Sequence, residues 1–289
     1  LIGLVGSEMC IRDRFVVAYP LYWVIISSIS APSAVSSGKV LLHPIGFTLK
    51  GYAEVFKNDQ VMRGFLNSLI ITFCGVMVNL IVTLPTSYAL SRSNFSGKKP
   101  ITIFYLITMF FGGGLIPTYL VIQRLQMLNT IWALILPGCL SVYNMIVART
   151  FFKSNISEEL YEAAEIDGCT QARFFFQIAL PLSKAIIAIL VLYYGVGHWN
   201  SYFSALVYIS DKAKYPLQLV LRNILITNQT ALSQTATTAA ARAALQEKQQ
   251  LIDVMKYSLI IISSIPVLVM YPLVQKHFVK GVMIGSMKG

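Results

Sequence analysis

The chain has 289 residues, of which 56% are hydrophobic and only 12% are charged, and its mean hydropathy is +0.66. This composition excludes an ordinary soluble domain and favours a protein that folds in a lipid bilayer. The net charge of +11 does not indicate nucleic-acid binding, because the basic residues are scattered between apolar runs. They are typical of side chains that face anionic lipid headgroups.

The chain begins with LIGLVGSEMCIRDR, which has no initial methionine and places its charges after its apolar part. A signal peptide has the opposite order, with positive charges before the apolar region. We therefore expect part or all of residues 1–14 not to be native to the gene, and we attach no function to them.

Six apolar runs then follow, and a membrane-spanning helix needs about 20 such residues, with a range of about 17–25. Prolines within these runs are compatible with spans, because neighbouring helices, hydroxyl side chains or water can satisfy the freed backbone groups. The sequence predicts an all-α membrane protein, one transmembrane domain over residues 15–289, with both termini on the same side. The six predicted spans are residues 15–31, 66–90, 101–122, 131–152, 180–209 and 257–276.

The short charged connections predict the orientation of these spans. Lysine and arginine are enriched in short cytoplasmic segments of membrane proteins. The basic residues that decide the orientation are Arg92, Lys98 and Lys99 in the connection 91–100, and Lys276, Lys280 and Lys288 after the last span. We therefore expect both termini and the segment 153–179 to be cytoplasmic, and the long connection 210–256 to be outside.

Two stretches leave alternatives open. The run Gly112–Gly114 with Pro117 in the third span could mark a helix break that lines a cavity, or a site of close helix packing. The alanine- and glutamine-rich stretch of residues 230–250 has a high helix propensity. It is either a solvated connecting helix or a contact with a partner outside the membrane.

The cytoplasmic segment 153–179 gathers the scarce acidic residues, since five of the twelve lie between Glu158 and Asp167. Ser157 and Thr170 are suited to cap two short helices, and Gly168 to end the first in a left-handed conformation. An interfacial helix usually carries lysine and arginine, so a protein partner is the better interpretation than a lipid surface. The predicted apolar stripe of the first helix is Ile156, Leu160, Ala163 and Ala164.

The string Glu162-Ala163-Ala164, followed by Gly168, Ile178 and Leu180-Pro181, resembles the EAA motif of transmembrane subunits of binding-protein-dependent ABC importers. The six spans, the motif between the fourth and fifth, and the ending FVKGVMIGSMKG resemble the MalG-like carbohydrate permeases. The long last outer loop is similar to that of the subgroup that transports oligosaccharides. One departure is Cys169, where the family more often has alanine.

The resemblance implies a type I ABC importer permease fold and a bacterial cytoplasmic-membrane protein that imports a carbohydrate. It also implies three protein partners: a separate ATPase, a second permease subunit (a homodimer being the alternative) and an extracytoplasmic solute-binding protein. No string GxxxxGK[ST] occurs in the chain, so ATP and Mg²⁺ would be used by the partner, and this subunit would have no catalytic residue or cofactor. The residues implied in ATPase coupling are Glu158, Glu162, Ala163, Ala164, Glu165, Asp167, Gly168, Ile178, Leu180 and Pro181.

Two other function classes fit the composition less well. An ion-coupled secondary transporter needs ionisable residues inside its spans, where His198 is the main example here. A membrane enzyme needs a convergent acid–base or metal cluster, and the widely spaced Cys10, Cys74, Cys139 and Cys169 predict neither a metal site nor a disulfide.

The fifth predicted span carries aromatic side chains with polar tips, a chemistry that suits a saccharide. A helix-packing face with an interfacial aromatic belt is the alternative interpretation. The candidate substrate-pathway residues are Tyr194, His198, Trp199, Asn200 and Tyr202.

Overall fold

The computed structural model describes residues 16–231 and 239–286, with side chains over 16–226, 249–272 and 274–275. The described part of the chain is helical and contains no β-strand. Its helices are α1 Val16–Ser28, α2 Pro32–Ser36, α3 Lys50–Lys57, α4 Asp59–Ser91, α5 Lys98–Phe110, α6 Leu115–Arg124, α7 Trp132–Ile135, α8 Val142–Asn155, α9 Glu158–Ile166, α10 Gln171–Phe174, α11 Leu180–Leu182, α12 Lys184–Trp199, α13 Tyr202–Tyr208, α14 Leu217–Ala231 and α15 Ala239–Ser286.

The described residues divide into two compact units, and one transmembrane domain over residues 15–289 stays a prediction. Of the described residues, the first unit contains 16–65 together with 217–231 and 239–266. In its core the indole of Trp23 meets the ring of Tyr257 edge to face at 5.1 Å, and its Nε1 donates to the carbonyl of Val40 at 2.8 Å. A Cβ atom at Gly51 would lie 2.6 Å from Ser258 Oγ, so only glycine allows this approach of α3 to α15.

The second unit contains residues 66–216 together with those from Val267 onwards, and it holds the segment that carries the EAA-like string. Aromatic rings form the centre of its core, because Tyr88 of α4 contacts Phe152 of α8 and the pair Phe174 and Phe175. Aliphatic side chains of α12 extend this core. The core therefore joins α4, α8 and α12 to the segment between α8 and α12.

Two helices are long and apolar enough to cross a membrane by themselves, α4 and the part of α15 from Gln249 to Pro272. They contain the predicted span 66–90 and most of the predicted span 257–276. The helix that corresponds to the predicted span 15–31 is α1, which is shorter. The number of spans and their orientation stay predictions.

The other three predicted spans each consist of two helices that meet at a bend. If each such pair crosses the membrane once, the number of spans rises from two to five. The bends are 113° between α5 and α6, 52° between the residues 132–138 and α8, and 80° between the helical residues 171–182 and α12. The predicted span 180–209 is therefore not one continuous helix, because α12 ends at Trp199 and α13 begins at Tyr202.

The glycine run at 112–114 lies at the break between α5 and α6. Gly114 has a φ of +84°, a conformation that L side chains rarely adopt. A Cβ atom at Gly112 or Gly114 would meet nothing within 4 Å, and one at Gly113 would meet only Pro117 at 3.8 Å. The helix break is therefore confirmed, and no described residue packs closely on Gly112 or Gly114; that the break lines a cavity stays a prediction.

Candidate functional site

The helix α9 begins at the cap that the sequence predicts. Ser157 is in an extended conformation and its Oγ accepts a hydrogen bond from the backbone N–H of Leu160 at 3.3 Å. Thr170 plays the same part for α10, since its Oγ1 accepts from the N–H of Arg173 at 3.3 Å. Both predicted caps are confirmed, and they fix where each helix of the segment 153–179 starts.

The turn that ends α9 is centred on Gly168, which has a φ of +75°. The N–H of Cys169 donates to the carbonyl of Ala164 at 2.9 Å, and the N–H of Gly168 donates to that of Glu165 at 2.9 Å. These two bonds form a Schellman motif, which satisfies carbonyls that the helix leaves unpaired at its C-terminus. The predicted left-handed glycine hinge is therefore confirmed.

The return towards α12 is a helical stretch that is longer than the sequence predicts. After α10 the backbone forms a π-helical turn over Phe175–Ala179 and continues through α11. Ile178 and Leu180 are half-buried in this stretch and Pro181 is exposed. The stretch ends at Ser183, where the chain bends by 80° into α12.

The buried face of α9 differs from the predicted apolar stripe. Ile156 and Ala164 are buried as expected, together with Tyr161, whose ring packs edge to face on Phe174 at 5.3 Å. Leu160 and Ala163 are exposed instead, because the ring of Tyr161 takes the inward position.

The outward face of α9 forms a mixed apolar and acidic surface, which we call the coupling surface. Its most exposed apolar side chain is Ile166, which is 87% exposed and points away from the core. Exposed apolar side chains next to carboxylates are suited to bind a protein surface with basic residues. The coupling surface consists of Leu160, Glu162, Ala163, Glu165, Ile166 and Asp167.

Glu158 does not belong to the coupling surface, because it faces the end of α4. Its Oε2 lies 3.5 Å from the guanidinium of Arg92, and its Oε1 accepts from the N–H of Ser93 at 3.0 Å. The same guanidinium donates to the carbonyl of Ile156 at 2.9 Å. The start of α9 is thus bound to the C-terminal end of α4.

The predicted substrate-pathway residues have two different environments. Tyr194 and Trp199 are buried, and the Tyr194 hydroxyl is hydrogen-bonded to Thr83 Oγ1 at 2.7 Å. His198 Nε2 lies 2.7 Å from Asn79 Oδ1. Asn200 and Tyr202, at the break between α12 and α13, are exposed. Contact of these five residues with a substrate stays a prediction. Tyr194 and His198 have hydrogen-bond partners within the protein.

Polar side chains of α4 also support the break before α8. Asn79 Nδ2 donates to the carbonyls of Gly138 and Cys139 at 2.8 and 3.0 Å, which the bend leaves without helical partners. The imidazole of His198 packs so closely on α4 that a Cβ atom at Gly75 would lie 2.5 Å from its Nε2. These contacts join α4 to α12 and to the bent stretch between α7 and α8.

An open groove of about 580 Å³ is lined by three tyrosines from three different helices. Tyr143 of α8, Tyr193 of α12 and Tyr271 of α15 are each about half exposed, and their hydroxyls make no hydrogen bond to another described residue. The sequence offers no pattern that joins these positions, because they are distant along the chain. Only packing of the three helices brings them together.

No group of three or more histidine, cysteine, aspartate or glutamate residues that could hold a metal ion occurs among the described residues. Cys74, Cys139 and Cys169 are half-buried and unpaired. Cys10 lies outside the described residues.

Comparison with known proteins gives matches over nearly the whole chain. Residues 15–282 match the family described as binding-protein-dependent transport system inner membrane component. The Bacillus subtilis (strain 168) polygalacturonan/rhamnogalacturonan transport system permease protein YtcP is 37% identical, over 93% of this chain and 92% of its own. The galactooligosaccharides transport system permease protein GanQ of the same organism is 30% identical, over 95% and 91%.

One solved structure also resembles the described fold. It is the crystal structure of a bacterial ABC transporter involved in the import of the acidic polysaccharide alginate, with a TM-score of 0.85 and 28% sequence identity. The match covers 96% of this chain and 96% of the other.

Proposed function

We propose that this chain, which belongs to the family of inner membrane components of binding-protein-dependent transport systems and is an ABC importer permease subunit, imports an oligosaccharide. Its relatives support a carbohydrate substrate, because they include permeases of transport systems for polygalacturonan/rhamnogalacturonan and for galactooligosaccharides. The resemblance to the alginate importer supports the same substrate class.

The observation that carries the coupling role is the outward face of α9. It projects exposed carboxylates and the 87% exposed Ile166 from a helix that is capped at both ends and seated on an aromatic core. We assign this coupling surface to the contact with a separate ATPase subunit, which would supply ATP hydrolysis with Mg²⁺. An acidic and apolar patch favours a partner groove with basic residues at its rim.

The proposed function also implies two further protein partners and an orientation in the membrane. The chain would be a multi-pass protein of the bacterial cytoplasmic membrane with six spans, both termini and the coupling surface being cytoplasmic. A second permease subunit, most simply a different chain, would complete the pathway. A solute-binding protein would deliver the sugar from the outer side, where the connection 210–256 would face it.

The tyrosine groove is the part of the described surface that best suits a sugar. Aromatic rings stack on the apolar faces of saccharides, while hydroxyl groups hydrogen-bond with their polar edges. A tyrosyl hydroxyl at the depth of a bilayer finds no partner in lipid, which favours an aqueous pathway beside Tyr143, Tyr193 and Tyr271. We place the pathway along this groove and along the exposed Asn200 and Tyr202.

The test is reconstitution of the chain in proteoliposomes with its ATPase, second permease and binding protein. Uptake of a labelled oligosaccharide should require ATP inside the vesicle together with binding protein outside. A variant with both Glu162→Lys and Glu165→Lys reverses the charge of the coupling surface, and its uptake should be lower than that of the wild type. Uptake that persists without any ATPase would instead show a secondary transporter and overturn the proposal.

A further inference from the structure

We propose that Arg92 is a positioning residue that makes the segment 153–179, which we call the coupling segment, and helix α4 move as one body. This inference rests on the proposed function, because it concerns how displacement of the coupling surface by the ATPase reaches the membrane spans. We call the contacts of Arg92 with α9 and with the end of α4 the Arg92 clamp.

The guanidinium of Arg92 contacts both helices at once. It donates from one terminal nitrogen to the carbonyl of Ile156 at 2.9 Å, and the other lies 3.5 Å from Glu158 Oε2. Its carbon lies 5.2 Å from the ring centre of Tyr88 in α4 and 6.0 Å from that of Tyr161 in α9. Cation–π contacts of this kind stabilise by about 0.5–1 kcal/mol at exposed sites and more when desolvated.

Two further hydrogen bonds reinforce the same junction. Glu158 Oε1 accepts from the backbone N–H of Ser93, directly after α4, at 3.0 Å. Arg149 of α8 donates from Nε to the carbonyl of Leu90 at 3.0 Å. Carbonyls in the last turn of a helix have no partner within the helix, so this bond binds the end of α4 to α8.

The two partners of this ion pair differ in burial, since the Arg92 side chain is 11% exposed and that of Glu158 is 41% exposed. Exposed pairs contribute only about 0.2–1 kcal/mol, so the buried guanidinium acts chiefly through the Ile156 carbonyl and the two rings. Removal of Arg92 would leave the Ile156 carbonyl without its side-chain donor and Glu158 without its counter-ion. The planar guanidinium can serve the carbonyl, the carboxylate and two rings together, and a lysine ammonium cannot.

The helix α4 continues from the clamp to the polar contacts inside the second unit. Thr83 lies nine residues before Arg92, or about 14 Å along the axis at 1.5 Å per residue. Thr83 binds Tyr194 of α12, and Asn79, one turn further, binds the carbonyls before α8. A displacement of α9 would reach the contacts that hold α12 and the bend before α8 along this part of α4, which contains Pro85.

The division of the acidic residues supports this assignment. Glu162, Glu165 and Asp167 point outwards and are free to meet the ATPase, while Glu158 faces inwards to Arg92. The acidic cluster thus has two tasks, with one carboxylate holding the helix and the others presenting charge to the partner.

The test uses the complete transporter in proteoliposomes and measures oligosaccharide imported per ATP hydrolysed. The variants are Arg92→Ala, Arg92→Lys and Glu158→Gln, and the control is Lys99→Ala, which removes an exposed positive charge near the same turn. We expect the control to keep the wild-type ratio. We expect Arg92→Ala to lower the ratio about tenfold while the ATPase still co-purifies, with a smaller loss in Arg92→Lys.

A merely structural role would give a different result. Transport and ATP hydrolysis would then fall together with the yield of folded complex, the ratio would stay unchanged in every variant, and the inference would be overturned. If Arg92→Ala yields no complex, the amount of oligosaccharide imported per ATP by Arg92→Lys and Glu158→Gln distinguishes the two roles in the same way. Wild-type complex without ATP-dependent uptake would refute the proposed function itself, which separates the two failures.

Discussion

A substitution at Gly168 tests the backbone turn of the coupling segment by itself, because a Cβ atom added at this position meets no other side chain. Its φ is +75°, and a Cβ atom there would meet nothing within 4 Å. A larger side chain therefore has room, and only the left-handed conformation opposes it. We predict that Gly168→Val disrupts the end of α9 without any steric clash.

The magnitude follows from the conformation. A left-handed backbone costs an L-residue roughly 1–2 kcal/mol, and a β-branched residue is a clear outlier there. One or two kcal/mol corresponds to about a 5- to 30-fold change in a two-state population. The hydrogen bonds from Gly168 and Cys169 to the last turn of α9 would be lost with the turn. The fraction of molecules that present the coupling surface in the native orientation would fall accordingly.

The assay compares Gly168→Val with Gly168→Asn in reconstituted transporter. Asparagine adopts the left-handed conformation much more readily, so it adds a side chain of similar size while it keeps the turn. We expect Gly168→Val to lose most of the ATPase stimulation by loaded binding protein and Gly168→Asn to keep most of it. Membrane insertion should be equal in both variants.

Equal stimulation in wild type and both variants would refute the reasoning, because the turn would then have no part in coupling. Equal loss in both variants would show that the exposed surface at Gly168, and not its backbone, makes the contact.

Four further predictions rest on the same geometry. Ile166→Asp should abolish co-purification of the ATPase without lowering the thermal stability of the chain in detergent, because this side chain is 87% exposed. Cysteines that replace Ser154 and Lys212 in a cysteine-free background should differ in intact cells, with only the one at 212 labelled by a membrane-impermeant thiol reagent; the opposite result would invert the orientation. Tyr193→Phe should raise the KM for oligosaccharide uptake while basal ATPase activity stays unchanged, and an unchanged KM would exclude Tyr193 from the pathway. Asn79→Leu should lower the thermal unfolding temperature, since it removes the hydrogen bonds to the carbonyls of Gly138 and Cys139, each of which contributes about 0.5–1.5 kcal/mol.

Local signals predicted the coupling segment well because its structure depends on neighbours in the sequence. The caps at Ser157 and Thr170 and the turn at Gly168 need only a hydroxyl or a missing Cβ at the right spacing from a helix end. The apolar stripe was wrong in part, since the Tyr161 ring fills the space beside Phe174 and Leu160 and Ala163 lie on the exposed side of α9. That choice depends on a ring from a different helix.

Long-range contacts decided the features that the sequence could not supply. Hydropathy treats residues 180–209 as one apolar run, yet the helix stops after Trp199 and α13 starts at Tyr202. The tyrosine groove joins helices α8, α12 and α15, and no periodicity relates its members. Arg92 was predicted only as a positive charge near the membrane surface, and its partner Glu158 lies far along the chain, beyond α8.

The position of Arg92 also changes what its charge means for the orientation of the chain. The positive-inside rule counts arginine and lysine near the ends of spans without regard to their partners. Arg92 is largely buried against Glu158 and two tyrosine rings, whereas Lys99 of the same connection is exposed. Lys98 is half-buried, and its Nζ donates to the carbonyls of Arg92 and Ser93 at 3.2 and 3.0 Å, so Lys99 is the exposed positive charge of this connection. If the proposed orientation and ATPase contact are correct, this short basic connection would serve both orientation in the membrane and attachment of the coupling surface.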